Sequence, residues 1–506
     1  MAIAPKAILS KSSYLRGVQC LKSLYLYKNH YNLREAPSVL QKALFDRGHQ
    51  VGRLAHQLFP GGIDCSVEHG WQQKEAVAKT ADAIRNGHKV IYEAAFMYSG
   101  VVAILDMLVL KPDGWHAFEV KSSVHLSAVF FKDAALQYYV INNTLGLRSF
   151  NLVTVDNTYK RKGILSIEKF FKLHPITADV RRRQAEVKRR VAEQLTMLQV
   201  GVLPSVEVGK HCFQPYPCDF MSQCWATIGA EEILQVSGLG IEAKLALIDK
   251  GYRHLSEVPA NLLPHNVSPP QPTAGETLKL RSKLQDWLKG LAYPIVFFDI
   301  EFIQLVVPQY EGTHPYESIP FILSTHRIEH EGAPAVSALS MLQPGDHPYI
   351  TMAVAFADLC KGAQTLLAYD AAAELKTIST MAEYVQETSL PLPVPAPELA
   401  STLLQTRHLV KDLRQPFVQG WIKLPELGAS NSLKKVLPAL CPGEGFADLE
   451  VSDGFAAARQ CEIIFHQPDG LEKEEAIRKL QAYAERDTWA MVLVWKALVD
   501  RVQLAQ

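Results

Sequence analysis

The stretch PIVFFDIEFI (294–303) constrains this 506-residue chain more than any other. A continuous run of β-branched and aromatic residues is the pattern of a strand buried on both faces, and so of an α/β domain. Asp299 and Glu301 interrupt it two residues apart, so their carboxylates leave the strand on the same face. Burying two carboxylates costs several kcal/mol unless they are paired or hold a cation. The surrounding sequence offers neither Lys nor Arg, which points to a metal ion.

The length suits two or three domains of roughly 100–200 residues. Hydrophobic residues make up 48% of the chain and charged residues 21%, which excludes intrinsic disorder. Lys plus Arg and Asp plus Glu number 52 each, which excludes a globally basic binder of the histone kind. No apolar run is long enough to span a membrane, and MAIAPKAILSKSSYLRG lacks a secretion-signal core. The expectation is a cytoplasmic protein with no membrane partner.

The eight cysteines are unevenly placed. Cys65, Cys360, Cys441 and Cys461 sit in apolar contexts and read as small buried hydrophobes. Cys212, Cys218 and Cys224 crowd into HCFQPYPCDFMSQCW, where no helix or strand period explains them. Three close thiolates need a positive centre, and Cys20 would complete a four-cysteine site. Such a site suits zinc or a [4Fe–4S] cluster, and the residues alone do not choose between them.

Along the chain, the entry segment up to 35 reads as helical, 40–59 as an amphipathic helix and 70–87 as a second. Three strands are expected over 88–121, then a helix over 128–145 and a basic helix over 177–198. The last two strands close as a hairpin through Lys111-Pro112-Asp113-Gly114, with Leu110 opposite Trp115. Counting outward sets Asp106 opposite Glu119, a repulsive pair unless a cation lies between. Lys121 shares the face of Glu119, and His56 follows Gly52 by one helical turn. Two carboxylates beside an ammonium suit phosphodiester hydrolysis with Mg²⁺ or Mn²⁺; the alternative is a charged, solvated hairpin face. Residues 228–290 change character, with a Gly-Leu-Gly between short helical runs and a Pro-rich linker. The basic helix (Arg181, Arg182, Arg183, Lys188, Arg189, Arg190) either steers a phosphate backbone or is a solvated face.

GRLAHQLF (52–59), ILDMLVL (104–110), FEVKSS (118–123) and the Gln137-Tyr138 region together resemble the RecB-like branch of the PD-(D/E)XK nucleases. The resemblance covers 1–227 and implies a restriction-endonuclease-like fold. It implies metal ligands at His56, Asp106 and Glu119, an assisting Lys121, and a substrate-contacting Gln137. Ile141 stands where many members have Tyr, so the role of Tyr138 or Tyr139 is open. Cys20 with Cys212, Cys218 and Cys224 matches the layout of the iron–sulfur members, which implies a [4Fe–4S] cluster with zinc as the alternative. The C-x5-C-x5-C spacing is looser than theirs at its first gap.

Residues 291–506 resemble the DnaQ-like 3′–5′ exonucleases of RNase H-like fold. D-x-E at Asp299 and Glu301, an acidic residue after Tyr369, and Tyr483 four residues before Asp487 carry that resemblance. It implies four two-metal ligands, Asp299, Glu301, Glu374 and Asp487, with Asp370 the alternative to Glu374, and a water-orienting Tyr483. Asp412 and SNSLKKVLPAL (430–440) resemble further parts of that site. VSGLGIEAKLALIDKGYRHLSEVP resembles a helix-hairpin-helix, or is a plain helical spacer. The two-part arrangement is similar to an uncharacterised bacterial family known only as a domain of unknown function. The expectation is therefore an α/β nuclease acting on nucleic acid, DNA before RNA. A helicase or another repair or defence protein is a conceivable partner, and a non-catalytic binding scaffold is the competing class.

Overall fold

A computed structural model describes residues 8–503, apart from 38, 70–71, 227–232, 235–238, 264–273, 344, 423, 425–426, 428–429, 452–453 and 467. It forms two mixed α/β units. The first is built mainly from residues up to Leu234, the second mainly from 255–305 and from 317 onward. No helix among the described residues is long and apolar enough to cross a membrane.

The sheet of the first unit contains β1 (Leu9–Ser10), β2 (Ile63–Asp64), β3 (Val90–Tyr98), β4 (Val101–Lys111), β5 (Gly114–Lys121), β6 (Ser149–Val155) and β7 (Phe171–Pro175). Its order is β2-β3-β4-β5-β6-β7, with β1 paired to β4. β3, β4 and β5 form an antiparallel meander, and β6 lies parallel to β5. Ser99 and Gly100 join β3 to β4 with φ of 46° and 77°, the left-handed pair that a two-residue hairpin needs. Helix Ala128–Thr144 is buried without a break from Asp133 to Ile141. It is apolar nearly all round because β3 and β4 lie on one side and helices Lys11–Gln19 and Gln184–Val200 on the other.

Two expectations change in detail. The helix expected over 40–59 is Val39–Ala55, and His56–Leu58 continues as a 3₁₀ turn. Pro60 disfavours helical backbone at Phe59, so the winding tightens and stops there. The basic helix divides at Arg183 into Thr177–Arg182 and Gln184–Val200, which ends on a left-handed Gly201. Several of its charges are used locally: Arg181 Nε donates to Tyr138 Oη at 3.0 Å, and Arg190 pairs with Glu193 at 3.1 Å.

The second unit has the strand order β10-β9-β8-β11-β12, from β8 (Ile295–Gln304), β9 (Ser318–Ile328), β10 (Val336–Met341), β11 (Thr365–Ala368) and β12 (Val410–Asp412). β8, β9 and β10 are antiparallel; β11 and β12 run parallel to β8. PIVFFDIEFI is thus the central strand, as its composition requires. Helix Leu471–Gln503 packs on β8 and β9, and helix Gly454–His466 on β8. The Gly-Leu-Gly of the middle segment is only partly seen: Gly238 lies outside the described residues, while Gly240 caps helix Ile241–Asp249. Most of the Pro-rich linker also lies outside them.

Candidate active sites

In the first unit β4 and β5 pair from Lys111↔Gly114 to Met107↔Phe118, with Leu110 opposite Trp115 as expected, and then part. At the next rung Asp106 Oδ2 accepts the Val120 N–H at 2.5 Å, so a side chain takes the place of a ladder carbonyl. Glu119 is 1% exposed, and its Oε1 accepts from two ammoniums, Lys121 and Lys11, each at 2.7 Å. Lys121 also donates to Asp133 Oδ2 at 2.5 Å, and Gln137 Nε2 donates to Asp133 Oδ1 at 3.4 Å. Gln137 is fully buried and meets the site through Asp133.

On the other side of β4, Tyr92↔Met107 and Ala94↔Leu105 leave Glu93 on the rung of Asp106. Glu93 holds a left-handed φ of 51°, a backbone strain for a non-glycine residue. Carboxylates thus sit side by side on three neighbouring strands. Burial and the charge of Glu119 push Asp106 well above the usual carboxylate range. Burial and Glu119 push Glu93 up to about 7. Burial also opposes the charge of Glu119, but Lys11 and Lys121 hold it well below that range. For Lys11, burial disfavours the ammonium, while Asp133, Glu119 and Asp106 more than restore it and raise it. Four acids (Glu93, Asp106, Glu119, Asp133) face two lysines, and Glu119 Oε2 is buried without a hydrogen-bond partner. That is the charge balance and the spare oxygen a divalent cation would use.

His56 stacks on Tyr92, ring centroids 3.9 Å apart. Its Nε2 is buried without a partner. Burial lowers the imidazole, and the carboxylate that acts on it is Asp64, not Asp106 or Glu119. A Cβ at Gly52 would meet nothing within 4 Å. Lys11, Glu93 and Asp133 are site members that the sequence reading missed. Glu93 was recoverable: counting back from the Ser99-Gly100 turn opposes it to Asp106. Asp133 also was, one helical turn before Gln137. Lys11 carries no local signal, since 108 residues separate it from Glu119.

The second unit brings Asp299, Glu301 and Asp487 together: one ligand oxygen of each lies within 4.8 Å of the others. It is the one such convergence of three His, Cys, Asp or Glu groups among the described residues. Asp299 opposes Ser324 on β9, and a bulge after Glu301 shifts the register. Ser324 Oγ lies 2.9 Å from Thr488 Oγ1, and His326 Nδ1 lies 2.8 Å from the same hydroxyl. The rung that carries Asp299 therefore also fixes the helix residue next to Asp487. Burial, then Glu301 and Asp487, push Asp299 well above the usual range. Burial and Asp487 push Glu301 up to about 8, with Lys434 opposing. Burial pushes Asp487 up to about 6, against a hydrogen bond from Tyr483 and the charge of Lys434. Lys434, from the SNSLKKVLPAL stretch, donates its Nζ to Tyr483 Oη at 3.2 Å and lies 5.1 Å from that ring.

Glu374 opens helix Ala372–Glu387 just after β11, 6% exposed, with an unpartnered Oε2. Burial pushes it up to about 7, and its charge acts on Asp299. Asp370 differs: it is left-handed at φ 65°, exposed, and paired with Arg414 at 2.6 Å. Asp412 is occupied by turn geometry, its Oδ1 accepting the N–H of Asp370 at 3.0 Å and of Arg414 at 2.8 Å. Of the two alternatives, Glu374 is the buried acid with an oxygen to spare.

Cys20, Cys212, Cys218 and Cys224 line one cavity, with Ser23, His211 and Phe220 among its other walls. No three of their sulfurs fall within 4.8 Å of one another. Burial raises the thiols of Cys20 and Cys224, and Cys218 and Cys212 act on both.

A family model described as Domain of unknown function (DUF2779) matches residues 296–432, which include Asp299, Glu301 and Glu374. No curated protein matches the chain. Among solved structures, an alkaline exonuclease (LHK-Exo) from Laribacter hongkongensis is similar at 10% identity with a TM-score of 0.22, over 38% of this chain and 92% of its own. A protein described as SSO0001 is similar at 11% identity with a TM-score of 0.21, over 44% and 88%. At such TM-scores neither likeness bears on the function.

Proposed function

We propose that the protein is a metal-dependent nuclease that hydrolyses phosphodiester bonds of nucleic acid, DNA before RNA, at two sites. The observation that carries this reading is the convergence of Asp299, Glu301 and Asp487 within 4.8 Å, with Glu301 and Asp487 buried and Asp299 partly so, and with Glu374 acting on Asp299. Three antiparallel strands followed by two parallel ones, with the D-x-E strand central, support an RNase H-like unit of DnaQ type. The parted β4–β5 hairpin, parallel β6 and helix Ala128–Thr144 support a PD-(D/E)XK-like first unit.

Mg²⁺ or Mn²⁺ bound by Asp299, Glu301, Glu374 and Asp487, and by Asp106 and Glu119, would supply Lewis-acid polarisation of the phosphate and make a bound water more acidic. The protein's own groups supply the rest. Tyr483 donates to Asp487 and accepts from Lys434, which aims its hydroxyl at the edge of the acidic cluster where an attacking water would stand. Lys434 brings positive charge to the same edge. In the first unit Lys121 spans Glu119 and Asp133 and keeps Glu119 ionised.

The cysteine cavity is read as the seat of a [4Fe–4S] cluster, with zinc as the alternative. An anaerobic preparation is expected to be brown, with iron rather than zinc by elemental analysis.

The test is the intact protein with Mn²⁺ on single strands labelled at the 5′ or the 3′ end. Shortening from the 3′ end is expected, and Asp106→Asn is expected to remove only the remaining cuts, by about 10²-fold. No metal-dependent cleavage of DNA or RNA would turn the reading toward a binding scaffold.

A further inference from the structure

We infer that Lys11, rather than Lys121, is the residue of the first site that binds a phosphate oxygen of the substrate strand. The inference rests on the nuclease reading of that site and deepens it. The two lysines share Glu119 Oε1 but are placed differently. Lys121 has short contacts to two carboxylates, Glu119 at 2.7 Å and Asp133 at 2.5 Å, and its side chain is 15% exposed. Its ammonium also lies 5.5 Å from the Phe130 ring centroid. Lys121 is thus enclosed and used up in holding two acids in place.

Lys11 makes one hydrogen bond, to Glu119 at 2.7 Å, and stands 3.7 Å from Asp133 with its side chain 33% exposed. An ammonium has three N–H groups. Two of them remain, on the more open of the two lysines, beside the acids that would hold the cation. Glu119 Oε2 stays unpartnered, so Lys11 does not occupy the oxygen left for a metal ion. A cation on that oxygen and an ammonium on Oε1 would flank a phosphodiester from two sides.

The placement of Lys11 is built, not incidental. β1 pairs in parallel with β4, Leu9 opposite Val101, where β5 has parted from it. A reciprocal capping box then starts helix Lys11–Gln19: Ser13 N donates to Ser10 Oγ at 3.3 Å, and Ser10 N to Ser13 Oγ at 2.7 Å. Gly17 lets Gln194 approach so closely that a Cβ there would lie 2.4 Å from its Cδ. At the far end Gln19 Nε2 donates to the carbonyls of His211 and Tyr216 at 2.7 and 2.9 Å, and Arg16 Nη2 to Asp219 at 2.9 Å. Those acceptors belong to the cysteine-bearing segment, and Cys20 follows the helix directly. The cysteine cavity therefore anchors the helix that delivers Lys11.

The experiment measures binding of a fluorescent single-stranded oligonucleotide in EDTA across a salt series, with cleavage by the same proteins in Mn²⁺ in an Asp299→Asn background that reports the first site. Lys11→Met is expected to bind about fivefold more weakly and to flatten the log affinity–log salt slope by about 0.7, one phosphate contact on a single strand. Its cleavage is expected to fall about 10²-fold, with Lys11→Arg restoring the slope and part of the rate. Lys121→Met is expected to lose cleavage while keeping the wild-type slope. Should Lys11→Met fail to fold, Lys11→Gln against Lys11→Arg gives the same comparison. An unchanged slope in the uncharged Lys11 variant, or an equal loss in Lys121→Met, overturns the inference. If the Asp299→Asn protein itself cleaves nothing but Lys11→Met still flattens the slope, the phosphate contact stands and the nuclease reading of the first site falls.

Discussion

Asp299→Asn removes Mn²⁺-dependent shortening of 3′ ends by at least about 10³-fold while the protein stays folded. The size follows from the charge. A bound dication lowers a hydrolytic barrier by several kcal/mol, and each 1.36 kcal/mol is a factor of about ten. Asp299 is the acid on which Glu301, Asp487 and Glu374 all act, so replacing it takes away the shared centre of the set. The fold is expected to survive because the amide keeps the shape and gives up only a charge that burial already opposes. End-labelled strands resolved by electrophoresis measure the loss. Glu374→Gln is expected to lose about 10²-fold and Asp370→Asn little, since Asp370 spends its carboxylate on Arg414 at the surface. A variant set in which Asp370→Asn is the damaging one would reassign the fourth acid, and full activity in Asp299→Asn would remove the catalytic role of the cluster.

Much of this was legible where the signal is local. The run around Asp299 reads as a central strand from composition alone, and it lies at the middle of its sheet. The Leu110–Trp115 rung followed from the hairpin turn. Its continuation to Asp106 and Glu119 held only as proximity, because the strands part after Met107↔Phe118 and Asp106 takes the Val120 N–H instead. A hairpin count assumes an unbroken ladder, and the break is what opens the site. The left-handed Glu93 was illegible as a bend, though not as an acid in an apolar strand. Lys11 illustrates the harder limit: a two-residue strand pairing in parallel across more than 90 residues of chain has no periodicity to read. The choice of Glu374 over Asp370 likewise depends on which carboxylate finds an arginine, and Arg414 is 44 residues further on.

The same carboxylates should make the metal-free protein less stable as pH rises from 5 to 8. Unfolded Asp and Glu titrate near 4. In the fold Asp487 is pushed up to about 6, Glu374 to about 7 and Glu301 to about 8, each chiefly by burial. Through these three acids the folded chain binds more protons than the unfolded one between pH 4 and 8, and stability falls with pH across that window before levelling off; the imidazoles of His56, His174 and His326, lowered by burial, oppose this in part. Glu119 has the opposite sign, its carboxyl being depressed, but its contribution is lost only below pH 4 and leaves the window unaffected. In EDTA the melting temperature is expected to drop by at least about 5 °C from pH 5 to pH 8. Mn²⁺ at pH 8 should restore it, because an ion that binds only the folded state stabilises it by mass action. Asp299→Asn removes one of the opposed charges, so without metal it should melt above the wild type at pH 8 and respond less to Mn²⁺. Calorimetry at the two pH values, with and without Mn²⁺, measures all four quantities. A melting temperature that rises from pH 5 to pH 8 in EDTA would mean that these acids are neutralised by the protein itself, which would leave no deficit of positive charge for a dication to fill.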